Sequence, residues 1–86
     1  DDVPCGLHIT TLRDAQKHYH QRTAEVYYVL EGEGELELGG ERHAVRPGHV
    51  VFIPPGVPHR AIGQLRCVIV CTPPFDPADE FAVSSG

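Results

Sequence analysis

Six histidines stand in this chain of 86 residues: His8, His18, His20, His43, His49 and His59. His18 and His20 flank Tyr19 in a segment with strand patterning. Residues two apart on a strand point to the same side, with Cα atoms about 6.6 Å apart. Two imidazoles so placed can converge on one metal ion at about 2.1 Å each. A surface strand can also carry such a pair simply as polar residues.

Glu25 follows His20 after four residues, room for a tight connection into the next strand. It leads the apolar run Val26-Tyr27-Tyr28-Val29-Leu30. An unpaired carboxylate facing inward there would be costly. A metal is one partner that offsets the cost; an arginine, or a position at the surface, is the alternative. Further on, Gly48-His49-Val50-Val51-Phe52-Ile53-Pro54-Pro55-Gly56-Val57-Pro58-His59 reads as a strand, a chain-reversing Pro-Pro-Gly turn and a histidine three residues past the glycine.

These two stretches resemble the paired motifs of the cupin superfamily, G-x5-H-x-H-x3,4-E-x6-G and G-x5-P-x-G-x2-H-x3-N. The first is matched by His18-x-His20-x4-Glu25-x6-Gly32 and the second by Gly48-x5-Pro54-x-Gly56-x2-His59. Together they occupy residues 18–32 and 48–63, with 15 residues between Gly32 and Gly48. The leading glycine would fall on Leu12 and the final asparagine on Gly63; neither position is a metal ligand in the family. The resemblance implies an all-β fold, a double-stranded β-helix or jelly-roll barrel, filling residues 1–86 as one domain. It implies one divalent transition metal held by His18, His20, Glu25 and His59. Three imidazoles and one carboxylate suit Mn, Fe, Co, Ni or Zn. Four protein ligands on an octahedral ion leave two positions open to a small molecule, which makes chemistry possible.

The remaining candidates are weaker. With Glu25 inward, period two turns Tyr27 and Val29 inward as well. Tyr27 is then a hydrogen-bond donor or pocket wall beside the ligands, and the one candidate catalytic residue; the alternative is a core tyrosine bonded to a backbone carbonyl. From His59 the same period puts Ala61 on the metal's side and Arg60 away from it. His8 reads as a strand residue, His49 as a turn residue, and the facing of His43 is ambiguous. Cys67, Ile69 and Cys71 share one face, with the cysteines acting as small hydrophobes.

The elements that must position these residues are short. Turn signals at Glu31-Gly32-Glu33-Gly34, Gly39-Gly40, Pro47-Gly48, Pro54-Pro55-Gly56 and Pro73-Pro74 separate eight β-type segments: 7–12, 16–21, 24–30, 34–38, 41–46, 49–53, 57–62 and 66–72. Such spacing points to an all-β sandwich or barrel. Near the end, Asp76 can cap a short turn that starts at Pro77 and carries Asp79 and Glu80 in its first turn. Leu36 and Leu38 alternate with Glu33, Glu35 and Glu37, which predicts one core face and one solvated face. Val26–Leu30, Val50–Ile53 and Cys67–Cys71 are apolar at consecutive positions, so both faces call for cover. A second copy of the chain is the simplest cover, and a homodimer is expected.

Hydrophobic residues make up 41% and charged residues 22% of the chain, ordinary for a folded domain. No apolar run reaches 18 residues. The net charge is −5 and the seven basic residues form no cluster. That disfavours nucleic acid and anionic membranes as partners; the small-molecule partner is what the resemblance implies. Cys67 and Cys71, about 13 Å apart on a strand, are too distant for a disulfide. A reducing compartment, the cytoplasm, is expected. The chain has no methionine, so it is expected to be less than a full translation product, with room for a removed leader. The function expected is an enzyme of dioxygenase, isomerase or lyase type acting on a small oxygen-rich molecule. The alternative is a module that binds or senses such a ligand without turnover.

Overall fold

The computed structural model describes residues 5–14 and 16–83. Among them the chain runs β1 (Gly6–Arg13), β2 (His18–Tyr19), β3 (Ala24–Leu38), β4 (Glu41–Val45), β5 (Val50–Ile53), β6 (His59–Thr72), a 3-10 turn at Pro77–Asp79, and β7 (Phe81–Ala82). Every pairing is antiparallel.

Two long strands, β3 and β6, form the spine, paired from Ala24↔Thr72 to Leu38↔His59. The first half of β3 also pairs with β5, and the last part of β6 with β1. The second half of β3 pairs with β4, and the start of β6 with β2, which carries β7 on its other edge. One layer is therefore β1-β6-β3-β5 and the other β7-β2-β6-β3-β4, with both long strands passing from one into the other. This is a jelly-roll barrel.

The long strands correct the segmentation read from the sequence. Segments 24–30 and 34–38 are halves of β3, and 57–62 and 66–72 together yield β6. The expected turn at Glu31–Gly34 is instead a corner at which pairing continues, with one register shift between Val29 and Glu31. Glycine makes the corner possible. Gly32 and Gly63 have φ of +94° and +87°. A Cβ on Gly32 would collide with the carbonyl oxygen of Gln64, and one on Gly34 with that of Ile62. The Asp14 carboxylate accepts from the Gly63 amide at 2.8 Å, pinning the end of β1 to the same corner. The Gly39-Gly40 hairpin forms as expected, between Leu38 and Glu41.

The register shift also flips parity. Before it Glu25, Tyr27 and Val29 are buried; after it Leu36 is. Their partners Cys71, Ile69, Cys67 and Ala61 are buried too, and with Val45, Ile53 and Leu65 they make the core. Cys67, Ile69 and Cys71 share one face, as alternation predicts, and the fold turns that face inward. The three cysteines are free.

Outside, the first layer carries two rows of apolar side chains across four strands. Registers place Leu7, Val70, Val26 and Phe52 in one row and Ile9, Val68, Tyr28 and Val50 in the next. Leu7, Ile9, Tyr28, Val50 and Phe52 are exposed. The second layer's outer face departs from expectation at Glu37. It faces outward with its neighbours but is only 7% exposed. Lys17 Nζ at 2.9 Å and Arg60 Nε at 2.7 Å cover its two oxygens. Those two bonds hold the carboxyl below its usual range. Two cations from elsewhere in the chain replace water there, which the glutamate row alone could not reveal.

Candidate metal centre

The four residues singled out by spacing meet at one point. His18 opens β2 and is the register partner of His59, which opens β6. His20 lies one residue past β2, and Glu25 is the second residue of β3. The Pro-Pro-Gly turn reaches back to this group: the Gly56 amide donates to the carbonyl of His20 at 2.6 Å. One ligating atom from each of the four lies within 4.8 Å of all the others. Three of the four residues are buried, and His18 is half-buried at the mouth.

The donor set fits a cation. Each ring points its Nδ1 at a backbone carbonyl: His18 at Gln16 (3.0 Å), His20 at Asp79 (2.9 Å) and His59 at Val57 (3.0 Å). A carbonyl only accepts, so each Nδ1 carries the proton and each neutral Nε2 is left a lone pair. Orienting carbonyls of this kind are the usual outer partners of metal-binding histidines. Glu25 Oε1 lies 3.1 Å from His59 Nε2 and 3.4 Å from His20 Nε2. Glu25 Oε1 and His59 Nε2 are buried without any hydrogen-bond partner. Two buried acceptors facing each other are unfavourable unless a metal ion or a proton lies between them.

A proton on the rings can take the place of such an ion: burial pushes the Glu25 carboxyl up, but a hydrogen bond from His59 and the charges of His59, His20 and His18 when these rings are protonated outweigh it and bring it below its usual value. The Cys71 thiol donates to the other oxygen, Glu25 Oε2, at 3.7 Å. Burial first, then the Glu25 charge and this bond, push that thiol up to about 11, so it stays protonated. Tyr27 sits edge-on to the His59 ring, centroids 6.2 Å apart. Burial and the Glu25 charge push its phenol well up, so it is a neutral wall of the site.

A cavity of about 250 Å³ opens on the cluster. Leu12, Tyr27, Ile69 and Phe75 form its apolar wall, and His8, Thr10 and Glu80 its polar one. Sequence reasoning misses His8 and Glu80 as cavity residues. His8 alternates with outward Leu7 and Ile9, and that alternation is the signal that turns it toward the cavity. Glu80 Oε1 stands 3.8 Å from His18 Nε2. Its placement depends on a chain reversal beyond Thr72, far in sequence from His18, and no local pattern announces it. His43 and His49 take no part: both are exposed and line a separate outer hollow of about 570 Å³. His49 Nδ1 accepts from the Arg46 amide at 3.2 Å, the turn role expected of it.

Asp79 is likewise more than the turn residue that its sequence setting suggests. It is 4% exposed. Its carboxylate accepts from the amides of Gln21 (3.0 Å), Arg22 (3.0 Å) and Thr23 (3.2 Å). Burial works against the charge, but these bonds and the Arg22 guanidinium outweigh it. Asp76 caps the turn as expected, accepting from the Ala78 amide at 2.9 Å.

Fold and site together define a small barrel with an internal metal-type donor set, and comparison gives it a family. The chain belongs to the Cupin domain family, whose model matches residues 10–72. An uncharacterized protein of Methanocaldococcus jannaschii is 38% identical over 66 residues, 72% of this chain and 53% of its own. The L-ectoine synthase of Aliivibrio fischeri is 33% identical over 82 residues, 90% of this chain and 62% of the enzyme. The chain thus spans between half and two thirds of the length of these relatives. Among solved structures, a protein from Planctomyces limnophilus superposes with a TM-score of 0.86 at 34% identity, covering 92% of this chain and 71% of that one. The nucleoside dehydratase Pac13 superposes at 0.81 with 22% identity, covering 96% and 72%, a likeness of fold alone.

Proposed function

We propose that His18, His20, Glu25 and His59 bind one divalent transition metal and that the chain is an enzyme acting on a small oxygen-rich molecule. The carrying observation is the convergence of one ligating atom from each of the four residues to within 4.8 Å, around a buried Glu25 oxygen that has no hydrogen-bond partner. A divalent ion held there would supply Lewis acidity toward the oxygens of a chelating ligand. The chain's own residues do the rest. The apolar lining of Leu12, Tyr27, Ile69 and Phe75 would limit water around a bound molecule. Glu80 and His8 line the same cavity and can take or return a proton at Oε and at the ring nitrogen. That placement favours isomerase- or lyase-type chemistry over O₂-dependent cleavage. Tyr27 contributes shape, and its neutral hydroxyl is a candidate donor. The synthase among the relatives is consistent with turnover of a small molecule.

The alternative, a module that only binds or senses its ligand, gains support from the modest size of the cavity. Metal analysis followed by a panel of small hydroxy and keto compounds, assayed with Glu80→Gln alongside, separates the two. Turnover that falls in Glu80→Gln with metal content unchanged supports the enzyme; binding without turnover across the panel supports the module.

The homodimer is part of the same reading. The two outward rows on β1, β6, β3 and β5 present a continuous apolar face without a charge, the kind of surface that marks an interface. Light scattering should show a dimer that Tyr28→Asp converts to monomer; an unaltered chain that is monomeric at tens of micromolar removes the proposal. Free thiols, two of them buried, agree with a reducing compartment such as the cytoplasm.

A further inference from the structure

The family match ends at residue 72, yet the segment beyond it returns to the cluster. Its backbone runs along β2: Ala82 pairs with His18, Phe81 with Tyr19, and the Val83 amide donates to the Lys17 carbonyl at 2.9 Å. Phe81 stacks on Tyr19, ring centroids 5.2 Å apart. Phe75 meets the His20 ring edge-on at 6.1 Å. Arg22 reaches Asp76 at 3.1 Å. Asp79 does two things at once. Its carbonyl takes the Nδ1 proton of His20, and its carboxylate gathers the three successive amides that follow His20.

Those amides lie in the connection between His20 and Glu25. Left alone, the four residues between the two ligands have many conformations, and ordering each one costs backbone entropy. A buried carboxylate bonded to three of their amides removes most of that freedom. The same residue then sets the ring plane of His20 and forces its proton onto Nδ1. A ligand and the spacing to the next ligand are thus governed from one position, 54 residues past Glu25.

We infer that residues 73–83 are a strap belonging to the metal centre, in which Asp79 is a positioning residue for His20 and for the His20–Glu25 connection, so that strap docking and metal binding reinforce each other. Coupling of this kind is reciprocal: whatever the docked strap adds to metal affinity, the metal adds to strap docking. The inference rests on the metal reading above. Outer partners of metal-binding histidines are typically worth 10–100-fold in affinity.

Zn²⁺ affinity measured by competition with a chelator, on the full chain, tests it. Asp79→Asn keeps the shape and the backbone carbonyl bonded to His20 but gives up one of the two oxygens that hold the amides of residues 21–23, and it should weaken Zn²⁺ about 10-fold while the far-ultraviolet circular dichroism is unchanged. In a His20→Ala background the same substitution should cost less than in the unaltered chain, because only the Glu25 end of the connection is left to be held. An equal loss in both backgrounds, or affinity within about threefold of the unaltered chain, would overturn the inference. Hydrogen exchange on the unaltered chain gives a second reading that needs no variant. Zn²⁺ should slow exchange at the amides of residues 21–23 and 79–83, and unchanged rates there with bound Zn²⁺ would equally overturn it. A chain that binds no Zn²⁺ at all overturns the metal reading and the strap together, whereas tight binding in Asp79→Asn overturns the strap alone.

Discussion

Two glutamates on β3 are almost equally buried and differ in everything else. Glu37, in the second layer, faces outward under Lys17 and Arg60, and both its oxygens are paired. Glu25, in the first layer, faces inward among three imidazoles, and its Oε1 has no hydrogen-bond partner. A charge so nearly buried is tolerable when cations surround it, and Glu37 is a structural ion pair of that kind. Around Glu25 the three imidazoles point their Nδ1 atoms at backbone carbonyls and the Cys71 thiol donates to the other oxygen. An acceptor cluster of that sort gains from positive charge in its middle, and this separates the surroundings of Glu25 from the ready-made ion pair of Glu37.

The largest effect expected is on metal content. His59→Ala should weaken metal binding by orders of magnitude, and inductively coupled plasma analysis after dialysis would show it. Glu37→Gln, His8→Ala and His49→Ala should retain the metal of the unaltered chain. Equal metal in His59→Ala would dissolve the distinction between the two carboxylates.

Next comes the stability the metal confers. An ion that binds only the folded chain adds about 2.7 kcal/mol at a hundredfold excess over its dissociation constant. For a domain of this size that is on the order of 10 °C in melting temperature. EDTA should lower the melting temperature accordingly and leave the strands intact, since the core around Val29, Leu36 and Leu65 is built without the four ligands. An unchanged melting temperature after verified metal removal contradicts this.

A smaller effect sharpens the contrast in the metal-free chain. Glu37→Gln should lower its melting temperature, because Lys17 and Arg60 lose their partner charge. Glu25→Gln should lower it less, because Glu25 Oε1 has no hydrogen-bond partner to lose. Calorimetry in the presence of EDTA reads both, and a larger loss in Glu25→Gln would reverse the roles of the two carboxylates.

Acid should separate the two regions in order. The imidazoles bind only when neutral, so metal affinity should fall as pH drops through about 6.5. Glu37 has a lowered pKa in the folded chain. Its stabilisation is complete above the unfolded value of about 4.3 and is lost only as pH falls from there through the folded value. Metal content against pH and metal-free melting temperature against pH should therefore show two separate declines. A single coincident decline would mean that the regions are not independent.

Much of this was legible in the chain itself. The His-x-His pair, the carboxylate five residues on, and the turn-then-histidine stretch marked out all four members of the cluster. Period two correctly turned Tyr27, Val29 and Ala61 inward and Arg60 outward, and put Cys67, Ile69 and Cys71 on one face. Such readings succeed because strand alternation and tight turns are set by neighbours in sequence. The runs Val26–Leu30 and Cys67–Cys71 likewise announced an apolar outer face.

Only the folded chain decided the rest. Glu31–Gly34 has the composition of a turn, and whether it ends a strand or bends one depends on β6 passing close enough to keep pairing through glycine. Glu37 reads as a wet residue until Lys17 and Arg60 arrive from distant positions. His8 and Glu80 border the cavity, and Asp79 governs His20, through contacts between residues dozens of positions apart. Local propensity and spacing carry no record of which distant group will accept a particular proton. That depends on how β1 and the segment after Thr72 close over the ligands, and closure is a property of the packed barrel, not of any segment in it.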